Sequence, residues 1–354
     1  MALYCGIDLH SNNHWVTVID ENDRRLLEKR LPNDLGATLG ALAPYRTELA
    51  AVAVESTFNW YWLVDGLMEA GCEVQLVNTA AVRQYEGLKY ADDRHDAFWL
   101  AHLMRLGILP TGYIYPKEQR AVRDLLRRRL GLVRLALRQL ISVQSAIWRH
   151  TGMMVSTNQI RRPDFVAPSL DFHTTLAVKS ALTLYHATQH EIGTIEAAVL
   201  AQAKLAPEFA ILQSMSGVGK ILGMTVMFET GMIGRFAGPG DYASYSRCVK
   251  SERTSNGKKK GEGNAKSGNK YLSWAFSEAA HFAVRYDPLA KRFYEKKRAQ
   301  KNGIVAIRAV AHKLCRAAYF MLRDQVVFDA QRLFALSLAG RGQPGNGVGK
   351  TTRH

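Results

Sequence analysis

The stretch ALYCGIDL at residues 2–9 decides the fold of the N-terminal part of the chain. It is rich in β-forming apolar residues and places a carboxylate, Asp8, near its end. A second β-rich run, HWVTVID at residues 14–20, is followed by the polar residues 21–23 and by a third short run at residues 24–30. Polar residues between two β-forming runs indicate a hairpin turn. The three runs therefore predict a β-meander.

Beyond the meander, strand and helix signals alternate. A helix-like stretch at residues 35–47 leads to an apolar run at residues 49–54, and an amphipathic helix at residues 60–70 precedes a strand at residues 73–78. A β-α-β order after a meander predicts a mixed sheet with helices on its faces. We therefore expect an α/β domain over residues 1–115.

The remainder of the chain is predicted to be mostly helical. An Arg-rich segment at residues 117–150 carries apolar residues three and four positions apart, which suit a coiled coil or a helical hairpin with a second helical run at residues 173–204. These apolar positions include Leu125, Leu126, Leu130, Val133, Leu137, Leu140 and Ile141. We expect an α-helical coiled-coil connector over residues 116–206, a mostly α C-terminal domain over residues 207–335 and a disordered basic tail over residues 336–354.

The charge of the chain favours a polyanionic partner. It has 47 Lys and Arg against 31 Asp and Glu, for a net charge of +16. Nucleic acid is the first candidate and an anionic membrane surface the second. No run of about 18 apolar residues and no charged signal-peptide start occur, so we expect a cytoplasmic, nucleoid-associated protein. The four cysteines are scattered without a C-x-x-C pair, which argues against a zinc ribbon or a disulfide framework.

Four acidic residues are candidates for a metal site. Asp8 and Glu55 end predicted strands, and Asp93 and Asp96 start a predicted helix. Strand ends lie along one edge of a sheet and residues three apart share a helix face, so the four carboxylates could converge. Mg²⁺ prefers carboxylate oxygens, and two such ions stabilise the attacking and leaving oxygens of a phosphoryl displacement. The alternative for the helical pair is the ordinary preference for acids at a helix N-terminus.

The order and spacing of these acids resemble a known family. The segments concerned are Gly6-Ile7-Asp8-Leu9-His10, Val54-Glu55-Ser56 and Asp93-Arg94-His95-Asp96-Ala97. They look like the D, E, D-x-x-D pattern of the DEDD transposases of insertion-sequence family one-ten, whose N-terminal domain is similar to the RuvC resolvases of the RNase H-like fold. The resemblance selects Asp93 rather than the adjacent Asp92. It implies catalysis with Mg²⁺, two ions per site, for which Mn²⁺ can substitute.

Three histidines, His10, His14 and His95, lie near these acids in the sequence. They could contact phosphate or metal. Because imidazole is a poor ligand for Mg²⁺, we expect the carboxylates to hold the ion.

A glycine-rich turn precedes an apolar helix in the C-terminal part. The segment SMSGVGK at residues 214–220 contains Gly217, Gly219 and Lys220. A Gly-x-Gly turn that opens a helix leaves backbone N–H groups free to bind a DNA phosphate. The family resembled above has a similar Gly-Val/Ile-Gly segment here. The alternative is a tight turn between helices.

A Gly/Lys/Ser-rich stretch at residues 251–268 interrupts the helical pattern and contains a candidate nucleophile. Tyr245, the basic loop after it and the Gly-Asn-x-x-Leu series at residues 268–272 resemble the family's C-terminal domain. By register from the tyrosine, the resemblance assigns Ser255 as the serine nucleophile, which would attack a DNA phosphate and form a covalent phosphoseryl intermediate.

One residue departs from the family pattern. Asn256 stands where many members have glycine, so Ser251 and Ser267 stay alternative nucleophiles. Without the resemblance, a serine in a Lys-rich loop is ordinarily a solvated turn residue.

Clustered basic residues are candidates for binding nucleic acid. Each cation that neutralises a phosphate adds to salt-dependent affinity, and the alternative is a solvated charged face. The candidates are Arg127, Arg128, Arg129, Lys258, Lys259, Lys260 and Lys270, together with Lys291, Arg292, Lys296, Lys297, Arg298, Lys301 and Arg308.

These observations predict a DNA transposase or recombinase that acts on element ends and target DNA. The resemblance implies a bridge RNA as guide, a homodimer or homotetramer, and a serine from one chain that meets the carboxylates of another. Two alternatives stay open: a RuvC-like endonuclease that uses metal-activated water, and a non-catalytic nucleic-acid-binding protein.

Overall fold

The structure of the protein is a computed structural model. It describes residues 2–79, 81, 92–203, 206–249, 252–256, 258–262 and 267–335, with the backbone alone for residues 252–255, 259–262 and 335. The chain divides into two compact units, Met1–Lys117 and Glu118–His354. The division falls close to the predicted end of the α/β domain at residue 115. The predicted tail at residues 336–354 lies outside the described residues.

The first unit is a five-stranded mixed sheet with helices. Its elements are β1 (Leu3–Leu9), β2 (Asn13–Ile19), β3 (Arg25–Pro32), α1 (Leu35–Leu42), β4 (Leu49–Glu55), α2 (Tyr61–Glu69), β5 (Val74–Val77) and α3 (Asp93–Arg105). The strand order is β3-β2-β1-β4-β5. The first three strands pair antiparallel, whereas β1, β4 and β5 pair parallel. The predicted meander and mixed sheet are confirmed.

The central strand β1 has two different faces. Its odd-numbered residues from Leu3 to Leu9 are buried in an apolar core with α1 and α2. Gly6 and Asp8 lie on the opposite face, because successive strand residues point to opposite sides of a sheet. Helix α3 packs on this second face, where Leu100 and Met104 join a smaller apolar core with β4 and β5.

Gly6 permits a close approach of α3 to β1. A Cβ atom at this position would overlap the carbonyl oxygen of Ala97 and lie 2.7 Å from the amide nitrogen of Ala101. Any side chain here would push the helix away from the sheet. The glycine therefore determines how near the first turn of α3 comes to the end of β1.

Ion pairs at the sheet edge hold α3 in place. Arg94 in its first turn pairs with Glu28 of β3, with 2.6 Å between Nη2 and Oε2. Arg105 in its last turn pairs with Asp23 in the β2–β3 turn, also at 2.6 Å, and His102 lies 2.9 Å from the same carboxylate. The hydrogen bond from Arg94 is the main cause that lowers the pKa of Glu28. Both ends of α3 are thus tied to the hairpin.

The second unit is mostly helical. Its elements are α4 (Lys117–Thr151), α5 (Thr157–Ile160), α6 (Phe172–Ala203), α7 (Pro207–Gln213), α8 (Lys220–Thr230), α9 (Pro239–Tyr245), β6 (Glu252–Ser255), β7 (Lys258–Glu262), α10 (Lys270–Tyr286), α11 (Pro288–Gln300) and α12 (Gly303–Asp324). The predicted helical character is confirmed. Strands β6 and β7 form an antiparallel hairpin within the polar stretch, for which no strand was predicted.

Helices α4 and α6 share an apolar core and run antiparallel. Their direction follows from two contacts: Arg129 lies 2.6 Å from Glu196, and His150 Nε2 lies 3.3 Å from Thr174 Oγ1. This arrangement is the helical hairpin alternative of the prediction. Supercoiling of the pair stays a prediction.

The apolar residues singled out in α4 differ in their burial. Leu126, Leu130 and Leu140 are buried in α4, whereas Leu137 and Ile141 are 43% and 48% exposed. Leu137 and Ile141 lie outside the buried stripe because apolar side chains occupy more than one side of this helix. The buried stripe instead continues through Ala136, Val143 and Ile147.

Helix α4 is also long and apolar enough to cross a membrane by length and composition alone. Core helices of soluble proteins meet the same criterion. Because one side of α4 packs against α6, this property carries little weight.

We expect Gly6→Ala to destabilise the first unit by about 1–3 kcal/mol, the usual cost of overpacking a core, because the new methyl group would collide with the α3 backbone. Differential scanning calorimetry of the full chain measures the effect. Gly40→Ala is the matched control, since nothing lies within 4 Å of a Cβ atom there. Equal melting temperatures for both variants and the wild type would contradict the packing argument.

Candidate active site

The candidate site lies at the carboxyl ends of β1 and β4. These strands are parallel neighbours in which Ile7 pairs with Val54, so the next residues, Asp8 and Glu55, stand side by side. Asp8 is only 4% exposed, and Glu55 is partly buried. The two carboxyl groups share a hydrogen bond. Two acids of the predicted four therefore meet at one edge of the sheet.

Burial changes the acidity of this pair. Burial is the main cause that raises the pKa of Glu55 to about 8, and the hydrogen bond with Asp8 and its charge add to the effect. Burial also raises the pKa of Asp8, with smaller contributions from the charges of Asp96 and Asp93. A buried carboxylate loses hydration, so burial stabilises the neutral form relative to the charged form. In the metal-free protein, Glu55 therefore keeps its proton at pH values at which an exposed glutamate has lost it.

Helix α3 contributes the other two acids. Asp92 is the N-cap, and its side chain accepts a hydrogen bond of 2.7 Å from the backbone N–H of His95. Asp93 is 55% exposed at its side chain, and its carboxylate faces His10 at 3.2 Å. Burial raises the pKa of Asp96, and the nearby charges of Glu55 and Asp93 raise it further. Asp92 thus caps the helix, while Asp93 and Asp96 face the site.

His10 lies between two of the acids. Its Nε2 atom is 3.1 Å from Asp8 Oδ2 and 3.2 Å from Asp93 Oδ2. His14 is buried and contacts Asn33 and Thr38 instead. Of the three histidines near these acids, His10 is therefore the one whose ring reaches the carboxylates at contact distance. The sequence showed only its proximity to Asp8 along the chain.

These residues fit a divalent cation. Asp8 Oδ2 and His10 Nε2 are buried atoms, and neither has a hydrogen-bond partner among the residues that the structure describes. Buried polar atoms are normally paired, and buried charges are paired or bind metal. Oxygen-rich carboxylate clusters are the usual binding sites for Mg²⁺ and Mn²⁺. A cation would satisfy the buried oxygen and offset the repulsion between the acids.

The two glycines of the turn in the second unit, Gly217 and Gly219, have different roles. Gly217 has φ +86°, and a Cβ atom there would overlap the carbonyl oxygen of Ala279, so close packing on α10 accounts for this glycine. Gly219 is the N-cap of α8, where no side chain of the described part caps the helix, and Lys220 beside it is exposed. The turn lines a cavity of about 880 Å³. This N-terminus could bind a phosphate.

The candidate nucleophile lies at the tip of the β6–β7 hairpin. Ser255, the last residue of β6, pairs with Lys258, the first residue of β7. Asn256 between them has φ +51°, a conformation that asparagine tolerates better than most residues. An Asn-Gly pair is the strongest two-residue hairpin signal, so the departure from the family's glycine suits this turn. The structure describes only the backbone of Ser255, and Ser251 lies outside the described residues.

The base of the hairpin is held by hydrogen bonds. Arg247 Nε donates to the carbonyl oxygens of Ser267 and Gly268 at 2.8 and 3.1 Å. Asn269 caps α10 and donates from Nδ2 to Glu229 Oε2 at 2.7 Å. These bonds join the two ends of the stretch that carries Ser255 to the helical core. Ser267 is exposed at this base rather than at the tip.

The predicted basic residues differ in their partners. Arg127 binds the buried carboxylate of Glu229 through two bonds of 2.6 and 2.7 Å, and Arg129 binds Glu196. These internal ion pairs were missed, although a glutamate inside the apolar run of α8 was a visible signal for Glu229. Arg128 is exposed.

Among the lysines, Lys258 and Lys270 are exposed. The Lys270 ammonium lies 5.2 Å from the ring centre of Tyr271. The side chains of Lys259 and Lys260 lie outside the described residues. The exposed cations remain candidates for phosphate contacts.

Comparisons with known proteins agree with this arrangement. Residues 5–149 match the family model of the DEDD transposases of the IS110 type, described as "Transposase". This match covers the mixed sheet and the acids at its edge, so the class of protein it indicates is the DEDD transposase family. Residues 209–295 match the model described as "Transposase IS116/IS110/IS902 family". The chain belongs to this IS110-type transposase family.

One relative is also similar over much of the chain. The Sinorhizobium fredii protein named "Putative transposase y4qE" is 25% identical over 271 residues. The match covers 74% of this chain and 66% of the relative, so the chain spans slightly less than two thirds of its length.

The pKa of Glu55 predicts a pH dependence of stability. Because the folded-state pKa of about 8 exceeds the ordinary value of 4.5, the folded state binds more protons between these pH values, and stability falls as pH rises through this window. We expect Glu55→Gln to raise the melting temperature in EDTA by at least about 4 °C at pH 8 and by less at pH 5. Calorimetry at both pH values measures this. An equal shift at both would contradict the prediction.

Arg127 and Arg128 should behave differently when replaced by alanine. Arg127→Ala leaves the buried Glu229 without its cation and should destabilise the second unit by about 3–5 kcal/mol. Arg128→Ala should change stability by less than about 0.5 kcal/mol. It should also lower the salt dependence of DNA binding by about one phosphate contact. Denaturant unfolding and binding titrations at several salt concentrations test both. Similar stabilities would show that the Arg127 ion pair is dispensable.

Proposed function

We propose that this transposase cuts and rejoins DNA by serine attack on a phosphodiester, assisted by Mg²⁺ held at Asp8, Glu55, Asp93 and Asp96. The observation that carries the proposal is the placement of Asp8 and Glu55 at adjacent strand ends, with Asp8, His10 and Asp93 close enough to hold one ion, in a chain of the transposase family. The strand order β3-β2-β1-β4-β5, with the acids at the ends of β1 and β4, supports an RNase H-like, RuvC-like N-terminal domain.

Divalent cations, two per site, would supply charge stabilisation to the phosphate oxygens when bound. The chain's own residues do the remaining work. Glu55, whose pKa is raised to about 8 in the metal-free chain, would give up its proton when a cation binds. Ser255 Oγ forms a bond to phosphorus and loses its proton, while the bond from phosphorus to one deoxyribose oxygen breaks and that oxygen takes up a proton. The phosphoseryl bond conserves the energy needed for rejoining, so no ATP is required.

The position of Ser255 suits this role. A residue beside the two-residue turn of a hairpin is set apart from the helical core, and the hydrogen bonds of Arg247 and Asn269 hold the base of that hairpin. Catalytic groups must be held on supported elements to meet a substrate productively.

Exposed cations complete the nucleic-acid surface. The uncapped N-terminus of α8 with Lys220, together with Arg128, Lys258 and Lys270, would bind phosphates of element ends and target DNA. The net charge of +16 also suits simultaneous binding of a bridge RNA as guide. We propose a homodimer or homotetramer in the cytoplasm as the acting form.

The test is a search for the covalent intermediate. Purified protein is incubated with Mg²⁺, duplex DNA that spans the element ends, and RNA transcribed from the element's flank. We expect a protein-linked DNA band on a denaturing gel that Ser255→Ala abolishes completely, because alanine has no hydroxyl to form the bond.

Matched variants interpret the result. Ser267→Ala and Ser251→Ala should retain the adduct. If one of these variants loses the adduct while Ser255→Ala keeps it, that serine is the nucleophile instead of Ser255. Cleavage without any adduct in the wild type would favour metal-activated water, the RuvC-like alternative. Asp8→Asn should abolish both adduct and cleavage, whereas a protein that only binds nucleic acid would show neither in any form.

A further inference from the structure

The backbone of His10 is held in place by three hydrogen bonds. Its N–H donates to the carbonyl oxygen of Asn13 at 2.9 Å. Its carbonyl oxygen accepts bonds from Nδ2 of Asn33 and of Asn59, both at 3.0 Å. Asn33 follows β3 and Asn59 precedes α2, so residues from three places in the chain converge on this one peptide. Such fixation positions the side chain before any ligand arrives.

The imidazole of His10 lies within ion-pair distance of two acids but makes no hydrogen bond with them. Nε2 is buried and lies 3.1 Å from Asp8 Oδ2, yet no described residue makes a hydrogen bond with either atom. The approach is therefore short but not along a hydrogen-bonding direction. Buried polar atoms that lack a hydrogen bond cost free energy, and a cation bound to both atoms would remove that cost.

The separations match those of atoms that share one metal ion. Ligand atoms bound at about 2.1 Å and at right angles around an ion are about 3.0 Å apart. Nε2 lies 3.1 Å from the Asp8 oxygen and 3.2 Å from the Asp93 oxygen. All three atoms lie within 4.8 Å of one another, which is close enough to bind a single ion.

We propose that His10 is a direct ligand of one cation at this site, and that the site consequently prefers Mn²⁺ to Mg²⁺. The inference rests on the proposed metal site and adds a nitrogen ligand to its carboxylates. Mg²⁺ binds oxygen ligands and is a poor partner for imidazole, whereas a transition ion such as Mn²⁺ accepts a nitrogen ligand beside carboxylates. This differs from the sequence-based expectation that carboxylates alone hold Mg²⁺.

Metal titrations on the full chain at one pH test the proposal. Free Mn²⁺ is followed by electron paramagnetic resonance, and Mg²⁺ is measured by competition. We expect wild type to bind Mn²⁺ more tightly than Mg²⁺, and His10→Gln to weaken Mn²⁺ binding at least about tenfold. The amide oxygen of glutamine can still bind Mg²⁺, so the loss of affinity for Mg²⁺ should be much smaller.

His102→Gln is the matched control, because this histidine contacts Asp23 at the other end of α3. It should leave both affinities unchanged. Pulsed paramagnetic resonance of the Mn²⁺-loaded wild type should show coupling to a directly bound ¹⁴N nucleus. The signal should become that of ¹⁵N when the protein is labelled with ¹⁵N-histidine, a result that does not depend on whether His10→Gln folds.

The outcomes separate this inference from the proposed function. If the wild type binds Mn²⁺ without nitrogen coupling, or if His10→Gln reduces Mn²⁺ and Mg²⁺ binding equally, His10 is not a ligand and the carboxylate site stands. If the wild type binds neither ion while Asp8→Asn behaves identically, both the ligand assignment and the proposed metal site are overturned.

Discussion

The contact between α3 and β1 at Gly6 is the constraint on which the site depends. Without a Cβ atom at that position, the helix backbone comes close enough for Asp96 and Asp93 to face the end of β1. The cost of this approach is electrostatic, since acids from a strand end and a helix turn crowd around a buried Asp8. Burial raises the pKa values of Asp8, Glu55 and Asp96, and the charges of neighbouring acids raise them further. A bound cation offsets the same repulsion.

The second unit uses the same principle. Gly217 lets the turn before α8 approach the backbone of α10, as Gly6 does for α3 and β1. Beside it, the buried carboxylate of Glu229 binds Arg127 and Asn269, and the asparagine caps α10 at the base of the hairpin. A buried charge is tolerated only when it is paired and hydrogen-bonded. A close glycine contact and a satisfied polar network thus hold the element that carries Ser255.

Much of this arrangement could be predicted from local patterns. The meander and the β-α-β order followed from residue periodicity. Asp8 and Glu55 stood out as acids at strand ends, whereas the family resemblance selected Asp93 and Asp96. The β6–β7 hairpin could also have been found, since Asn256 and Gly257 form a strong turn signal. It was missed because Lys-rich strands lack the apolar alternation by which strands are usually recognised. The exposure of Leu137 and Ile141 was not accessible, because spacing alone does not say which side of a helix is covered.

The sequence by itself determined the element order, the basic charge and the identity of the acids, because each depends on neighbours along the chain or on composition. Only the tertiary structure decided which side chains meet. Arg127 and Glu229 are 102 residues apart, and Asn59 reaches the His10 carbonyl across 49 residues. The placement of His10 between Asp8 and Asp93 likewise depends on a helix that packs on the sheet from about 80 positions later in the chain. Such contacts are set by packing and burial, which no local pattern encodes.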